Sequence, residues 1–257
     1  MKIAIVTGAS SGMGREMVFE IADRFGGIRE IWAVARREER LKEFDGRVPV
    51  PVKVFPLDLT ADGGLSSLEE ALKEQKPEVK LLINAAGFGR IGTAEEIGWR
   101  TSSRMVSLNA GALTAVTELV LPYMSENSRI LQFASAAAFL PQPGFAVYAA
   151  SKAYVLSYSR ALNAELSGRG IFVTAVCPGP VDTEFFDRAL QRGTLAPYKK
   201  IFMADAKKTV RKALKDGMAG KEISIPGISM KAFFLLCRLV PHGILIKLIR
   251  RLSGTAR

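Results

Sequence analysis

KIAIVTGASSGMGREMVFEIADR, Lys2 to Arg24, is the stretch that decides the fold. Lys2 to Thr7 is a short apolar run rich in β-branched residues. Glycines then punctuate the chain at 8, 12 and 14, and a helix-like pattern follows to about Arg24. Strand, glycine turn and helix come in that order. Such a turn lets the backbone approach a ligand closely, and the helix start offers unpaired N–H groups to a pyrophosphate. The candidate contacts in the turn are Gly8, Ser10, Ser11, Gly12, Met13 and Gly14.

The pattern repeats outward from there. Further strands are predicted at Glu30 to Ala35, Val52 to Leu57, Val79 to Asn84, Arg129 to Ser135, Ile171 to Cys177 and Glu222 to Pro226, with helical periodicity between most of them. This alternation predicts one α/β domain: a doubly wound, Rossmann-type fold with a seven-stranded, mostly parallel sheet covered by helices on both faces. No internal repeat, low-complexity tract or linker divides it. This domain is assigned to residues 1–227, and residues 228–257 are expected to form a basic, amphipathic helical extension packed on or near it.

Composition limits the alternatives. Of the 257 residues, 48% are hydrophobic and 24% charged, which excludes wholesale disorder and suits one large core. The two cysteines, Cys177 and Cys237, make no disulfide framework and suit a reducing compartment. The N-terminal apolar run is too short for a signal-peptide core or a membrane span, so a cytoplasmic location is expected. The net charge of +11 is uneven: Gly193 to Arg257 carries 14 Lys and Arg against 3 Asp and Glu, and the rest of the chain balances.

After the second strand come Ala35, Arg36 and Arg37. An acidic residue there would hold ribose hydroxyls, whereas arginine accommodates a 2′-phosphate, so the expected cofactor is NADP(H). Asp58 follows the third strand and Asn84-Ala85-Ala86-Gly87 the fourth, where the sheet edge meets a ligand, although such residues also serve as caps and turns. The chemistry is concentrated in SAAAFLPQPGFAVYAASK, Ser135 to Lys152. Tyr148 and Lys152 are four apart and share a helix face. An adjacent ammonium favours a phenolate, which predicts a tyrosine pKa below its ordinary value of about 10 and a usable acid or base near neutrality. Ser135 ends an apolar strand and turns its hydroxyl to the same place.

Together these residues resemble the short-chain dehydrogenase/reductase family over roughly Lys2 to Pro226. T-G-A-S-S-G-M-G at 7 to 14 matches its cofactor turn, Asp58-Leu59 its adenine contact, N-A-A-G at 84 to 87 its mid-sheet motif and P-G-P-V-D-T at 178 to 183 its nicotinamide-side loop, with Pro178, Gly179, Val181 and Thr183 facing the cofactor. Asn109, Ser135, Tyr148 and Lys152 match the catalytic tetrad. The resemblance implies that Ser135 holds the substrate carbonyl and Tyr148 donates the proton. Lys152 would lower the tyrosine pKa and bind the nicotinamide ribose, and Asn109 would hold a relay water. It also implies a homodimer or homotetramer paired through the helices near Asn109 to Tyr123 and Tyr148 to Leu166. One departure is Ala85, where many relatives carry asparagine.

The expected reaction is NADPH-dependent reduction of a ketone or aldehyde. Phe139, Leu140, Pro141, Phe145, Phe185 and Phe186 suggest an apolar pocket for that small-molecule substrate. Tyr154 and Tyr158 read as packing residues, and His242 as a cap or surface residue. Beyond Pro241, Leu245, Leu248, Ile249 and Leu252 fall on one helical face and Lys247, Arg250 and Arg251 on the other. Such a helix suits three roles: lying on an anionic membrane surface, packing on a subunit or its own domain, or covering the substrate entrance. The alternative to an enzyme is a dinucleotide-sensing binding protein with a basic tail. No nucleic-acid-binding motif accompanies that tail, and no metal-ligand cluster is read.

Overall fold

The computed structural model describes residues 1–61, 63–189 and 203–252. Seven strands form one sheet: β1 (Lys2–Thr7), β2 (Glu30–Val34), β3 (Val52–Phe55), β4 (Glu78–Asn84), β5 (Arg129–Phe133), β6 (Phe172–Val176) and β7 (Ile223–Ser224). Their order is β3-β2-β1-β4-β5-β6-β7, and every neighbouring pair is parallel, so the sheet is wholly rather than mostly parallel. The strand order reverses between β1 and β4, which opens a crevice beyond their C-terminal ends. The strands stop one or two residues short of several expected ends, leaving Ala35, Leu57, Ser135 and Cys177 free to leave the sheet plane.

The strand sequences are apolar at nearly every position because both faces are covered. Ala4 and Val6 pack with Met17 and Ile21 of α1 (Gly12–Arg24), while Ile3 and Ile5 pack on the opposite face with Trp32, Leu68 and Leu72. Leu68 and Leu72 belong to α3 (Gly64–Gln75), which follows the short α2 (Glu38–Lys42). Each such buried aliphatic side chain contributes about 1.5–3 kcal/mol.

Between β4 and β5 the chain forms α4 (Ala94–Ile97), α5 (Trp99–Val106), a π-helical segment Ser107–Ala112 and α6 (Leu113–Val120). The run Trp99–Tyr123 is long and apolar enough to cross a bilayer, yet it carries the buried Asn109 and packs on β4 and α7 (Ala146–Leu166), as a core helix does. After β6 come α8 (Glu184–Ala189), α9 (Ala206–Met218) and, beyond β7, α10 (Ile228–Leu239) and α11 (His242–Leu252). Glu20 of α1, almost fully buried, accepts from Arg24 and from Arg211 of α9 at 2.8 Å each and so ties these two helices together.

Cys237, Leu245, Phe233, Ile246 and Ile249 of the last two helices pack with Phe139, Leu140 and Val155. The apolar face expected for the last helix is therefore divided. Leu245 is buried and Ile249 packs inward, whereas Leu248 faces solvent. The side chain of Leu252 lies outside the described residues. His242 opens α11 and donates from Nε2 to the carbonyl of Cys237 at 3.2 Å, a capping position.

Candidate active site

A cavity of about 1520 Å³ follows the C-terminal edge of the sheet. Its glycine turn is set by sterics. Gly8 has φ +71°, and a Cβ there would stand 2.7 Å from the Ala86 nitrogen; a Cβ on Gly14 would meet the Gly8 carbonyl oxygen at 2.3 Å. Gly12 faces Thr183 across the cleft, where a Cβ would lie 3.4 Å from that of Thr183. Ser10, Ser11, Met13, Ala85, Gly87, Leu59, Pro178, Gly179 and Val181 complete this half of the wall, as expected.

Arg36 and Arg37 leave the end of β2 differently. Arg36 is mostly exposed, with Nη1 3.8 Å from Asp58 Oδ2. Arg37 donates through Nε and Nη2 to Ser10 Oγ at 3.3 and 3.2 Å, and through Nη1 to Glu184 Oε2 at 3.2 Å. Arg40 also pairs with Glu184, and the two arginines, Arg40 foremost, hold that carboxyl below the usual range. Asp58 accepts from the nitrogen and hydroxyl of Thr60 at 3.0 and 2.7 Å, which lowers its pKa; it serves as a turn residue while also lining the cleft.

Asn84 does not reach the cavity. Its Oδ1 accepts from the Thr7 hydroxyl at 3.4 Å and its Nδ2 donates to Thr117 Oγ1 at 2.9 Å, so it ties β1, β4 and α6 together behind the wall. This corrects its assignment as a direct cofactor contact. The strand end turns the Asn84 side chain into the protein.

Ser135 and Tyr148 of the tetrad line the other half, whereas Asn109 and Lys152 stand behind the wall at Gly87. Tyr148 lines the cavity near the start of α7, its ring stacked on Phe145 at 4.3 Å and tilted against Phe185 at 5.4 Å. Ser135 caps the tight turn Ala136–Phe139 by accepting from the Ala137 nitrogen at 3.1 Å, and its hydroxyl lies beside Tyr148, where it favours the ionised phenol. Lys152, one turn further along α7, donates to the carbonyl of Phe133 at 2.6 Å and so holds the end of β5. Asn109 exchanges two hydrogen bonds with the backbone of Phe88, 3.0 Å to Oδ1 and 2.9 Å from Nδ2, and also donates to Ser151 Oγ at 3.0 Å. Its position is set by the π-helical segment, a local widening that often accompanies functional sites. A Cβ on Gly87 would lie 2.9 Å from Asn109 Oδ1 and 3.4 Å from Lys152 Nζ, so both stand directly behind that glycine.

The expected lowering of the tyrosine pKa is overturned. Burial pushes Tyr148 up to about 12, with the Ser135 hydroxyl opposing only in part, and burial pushes Lys152 down to about 8. The lysine ammonium is spent on the Phe133 carbonyl and lies 5.8 Å from the Tyr148 ring centroid, so it does not offset the desolvation of a phenolate. The phenol is therefore protonated at neutral pH. Cys177 is buried and pushed up to about 12 for the same reason, which makes it an inert thiol.

A model of the short-chain dehydrogenases matches residues 2–192 of the chain. The chain belongs to the short-chain dehydrogenase family. Among curated members, it is 34% identical over 192 residues to sulfoacetaldehyde reductase 2 of Chromohalobacter salexigens, covering 71% of this chain and 74% of that protein. It is 31% identical over 220 residues to the very-long-chain 3-oxoacyl-CoA reductase of Rattus norvegicus, covering 80% and 68%. A short-chain dehydrogenase from Sphingobium yanoikuyae, solved in complex with NADPH, superposes with a TM-score of 0.79 at 28% identity, over 100% of this chain and 97% of that one. The chain is thus an oxidoreductase by family, and the alternative of a non-catalytic dinucleotide sensor finds no support.

Several wall residues of this dehydrogenase carry no signal in its sequence. Glu184 lines the wall and meets Arg40, behind it, only through the fold, 144 residues apart. Met230, Phe233, Leu236 and Ile249 bring the last two helices over the substrate half, one of the three roles their amphipathic pattern left open. Met230 sits on the nicotinamide-side loop, where a Cβ on Gly179 would touch its Sδ at 2.6 Å. Phe139 and Leu140 pack into the core beneath that roof, while Phe145, Phe185 and Phe186 line the cavity itself. Tyr154 and Tyr158 stack on each other at 5.9 Å away from the cavity, with Tyr154 more exposed than a packing role predicts.

Proposed function

We propose that this protein reduces an apolar ketone or aldehyde to the alcohol with NADPH. The observation that carries the reading is the placing of Tyr148 and Ser135 together on the wall of a cavity where Phe145 and Phe185 pack against the tyrosine ring. A dinucleotide fits the other half: Gly8 and Gly14 let the turn fold tightly against Ala86 and its own backbone at the edge of the cleft, and Ser10, Arg36 and Arg37 supply donors suited to a 2′-phosphate. Bound there, NADPH supplies the hydride that no side chain can.

The chain's own residues then handle position and proton. Ser135 donates to the substrate carbonyl oxygen and Tyr148 transfers its hydroxyl proton to the same atom, leaving a phenolate that solvent reprotonates. Lys152 fixes the end of β5 through Phe133, and with it the Ser135 turn; its ammonium, behind Gly87, would hold the nicotinamide ribose. Asn109 holds Phe88 and Ser151 in place and positions the relay behind Gly87. Phe145, Phe185, Phe233 and Met230 exclude water from the reacting carbonyl and favour an apolar substrate.

We further assign the working form as a cytoplasmic homodimer or homotetramer paired through the helices near Asn109 to Tyr123 and Tyr148 to Leu166, the second of which exposes Tyr154. The deciding experiment for the activity is NADPH oxidation with a panel of ketones and aldehydes graded in size and polarity. Turnover of the larger apolar members, with NADPH preferred to NADH, is the expected result. A panel that gives no turnover, or a preference for NADH, would overturn the reading.

A further inference from the structure

We infer that the ridge formed by α10 and α11 docks this protein onto an anionic lipid surface, with the substrate half of the cavity adjoining the bilayer. Six of the eleven large hydrophobic side chains exposed among the described residues belong to these two helices. Ile228, Leu235 and Leu239 recur at spacings of seven and four on α10, so they form one stripe; Ile228 is 86% and Leu239 73% exposed. On α11, Ile244 and Leu248 are both more than half exposed, while Leu245 and Ile249 of the same helix pack inward. Only Val240 and Pro241 separate the two helices.

Charge selects the occupant. From Ile228 to Leu252 the chain has no acidic residue and five exposed cations, Lys231, Arg238, Lys247, Arg250 and Arg251. None of the five has an ion-pair partner among the described residues. At helical spacing Lys247 and Arg251 fall on the exposed stripe with Ile244 and Leu248, so apolar and cationic groups face solvent together. A second copy docking on this ridge would set five unpaired cations against five more. Anionic head groups above an acyl layer complement both features.

The ridge also adjoins the cavity. Leu236 and Ile249 line it; Leu236 also reaches solvent, and the chain neighbours Leu235 and Leu248 are exposed beside them. A carbonyl compound dissolved in the bilayer would then pass into the cavity along apolar side chains. At 12 and 11 residues, neither helix is long enough to span the hydrocarbon layer, so the contact is interfacial.

The test is sedimentation of the full chain with phosphatidylcholine vesicles, with and without a minority of phosphatidylserine, at low and at high salt. Binding should require the anionic lipid and be lost at high salt. Arg250→Glu with Arg251→Glu should weaken it by roughly thirtyfold or more, from about 1 kcal/mol per charge. Leu239→Asp with Leu248→Asp should weaken it at least as much. NADPH titration of each variant should be unchanged, since these four residues lie outside the cavity, and it reports that the variants fold. Wild-type protein that ignores anionic vesicles, or binds neutral ones equally, overturns the inference. So does an oligomer that Leu239→Asp with Leu248→Asp splits in sedimentation velocity, which would make the ridge a subunit contact. The outcome is independent of the proposed reduction, which the carbonyl panel tests separately.

Discussion

Arg37 is clamped between the two walls of the cavity: it donates to Ser10 in the glycine turn and to Glu184 at the start of α8, 147 residues away. A 2′-phosphate on the Ser10 side must therefore compete with a carboxylate for the same guanidinium. Glu184→Gln should tighten NADPH by about threefold to tenfold, within about 1.4 kcal/mol, and leave NADH nearly unchanged. The Glu184 pKa is depressed, so the pair is present at neutral pH and lost only as pH falls through a value below the usual carboxylate range. Fluorescence titration of both nucleotides checks this. Weaker NADPH binding in the variant would mean that Glu184 orients Arg37 rather than competing for it.

Tyr148→Phe should lower turnover by at least about a hundredfold, as expected for removing a general acid, while cofactor affinity stays near normal. The ring remains to stack on Phe145, so the wall keeps its shape. Single-turnover reduction compared with equilibrium NADPH binding separates the two effects. A variant retaining most of its rate would remove Tyr148 from the proton step.

Lys152 gives a pH signature in the ligand-free protein. Its folded pKa of about 8 lies below the ordinary value of about 10.4, so between those limits the unfolded chain binds the proton and the native one does not. Stability from this group therefore rises with pH across that window, by up to about 3 kcal/mol. Tyr148 acts in the opposite sense, but only between its ordinary value of about 10 and its folded value of about 12. Relative to Lys152→Met, wild type should gain stability from about pH 8 to about pH 10 in denaturant unfolding. A difference that stays flat with pH would show that burial does not perturb this lysine.

Gly14→Ala should destabilise the fold by about 1–3 kcal/mol and impair NADPH binding, because backbone must move to relieve a 2.3 Å contact with the Gly8 carbonyl oxygen. Gly111→Ala is the control. Nothing lies within 4 Å of its added methyl, and alanine in a helical segment favours folding by about 0.5–1 kcal/mol. Thermal unfolding of the pair should move in opposite directions; a common shift would show that the turn can relax.

Local signals carried the fold and half of the site. Apolar runs alternating with helical periods gave seven strands in the right places, since parallel strands buried on both faces are legible residue by residue. The glycine turn and the Ser135, Tyr148 and Lys152 set were legible for a similar reason: each depends on short spacings. Three features were not. The Arg37–Glu184 pair joins distant segments with no pattern in either. The rise of the Tyr148 pKa depends on desolvation, which spacing does not contain. The direction of Asn84 is set where β4 ends, and a shift of one position there separates a cleft contact from a core tie.

The hydrogen bond of Thr7 with Asn84 joins positions 77 residues apart, at the centre of a sheet whose described strands all pair in parallel. No hairpin can seed that contact, and distant pairings of this kind slow folding. A chain that has formed only its first βαβ unit holds the glycine turn without its opposite wall at Ala85 and Ala86. Dinucleotide affinity thus arises only when the centre of the sheet closes, so a bound nucleotide should draw the folding equilibrium toward the native state by mass action and raise the melting temperature in proportion to the logarithm of its concentration.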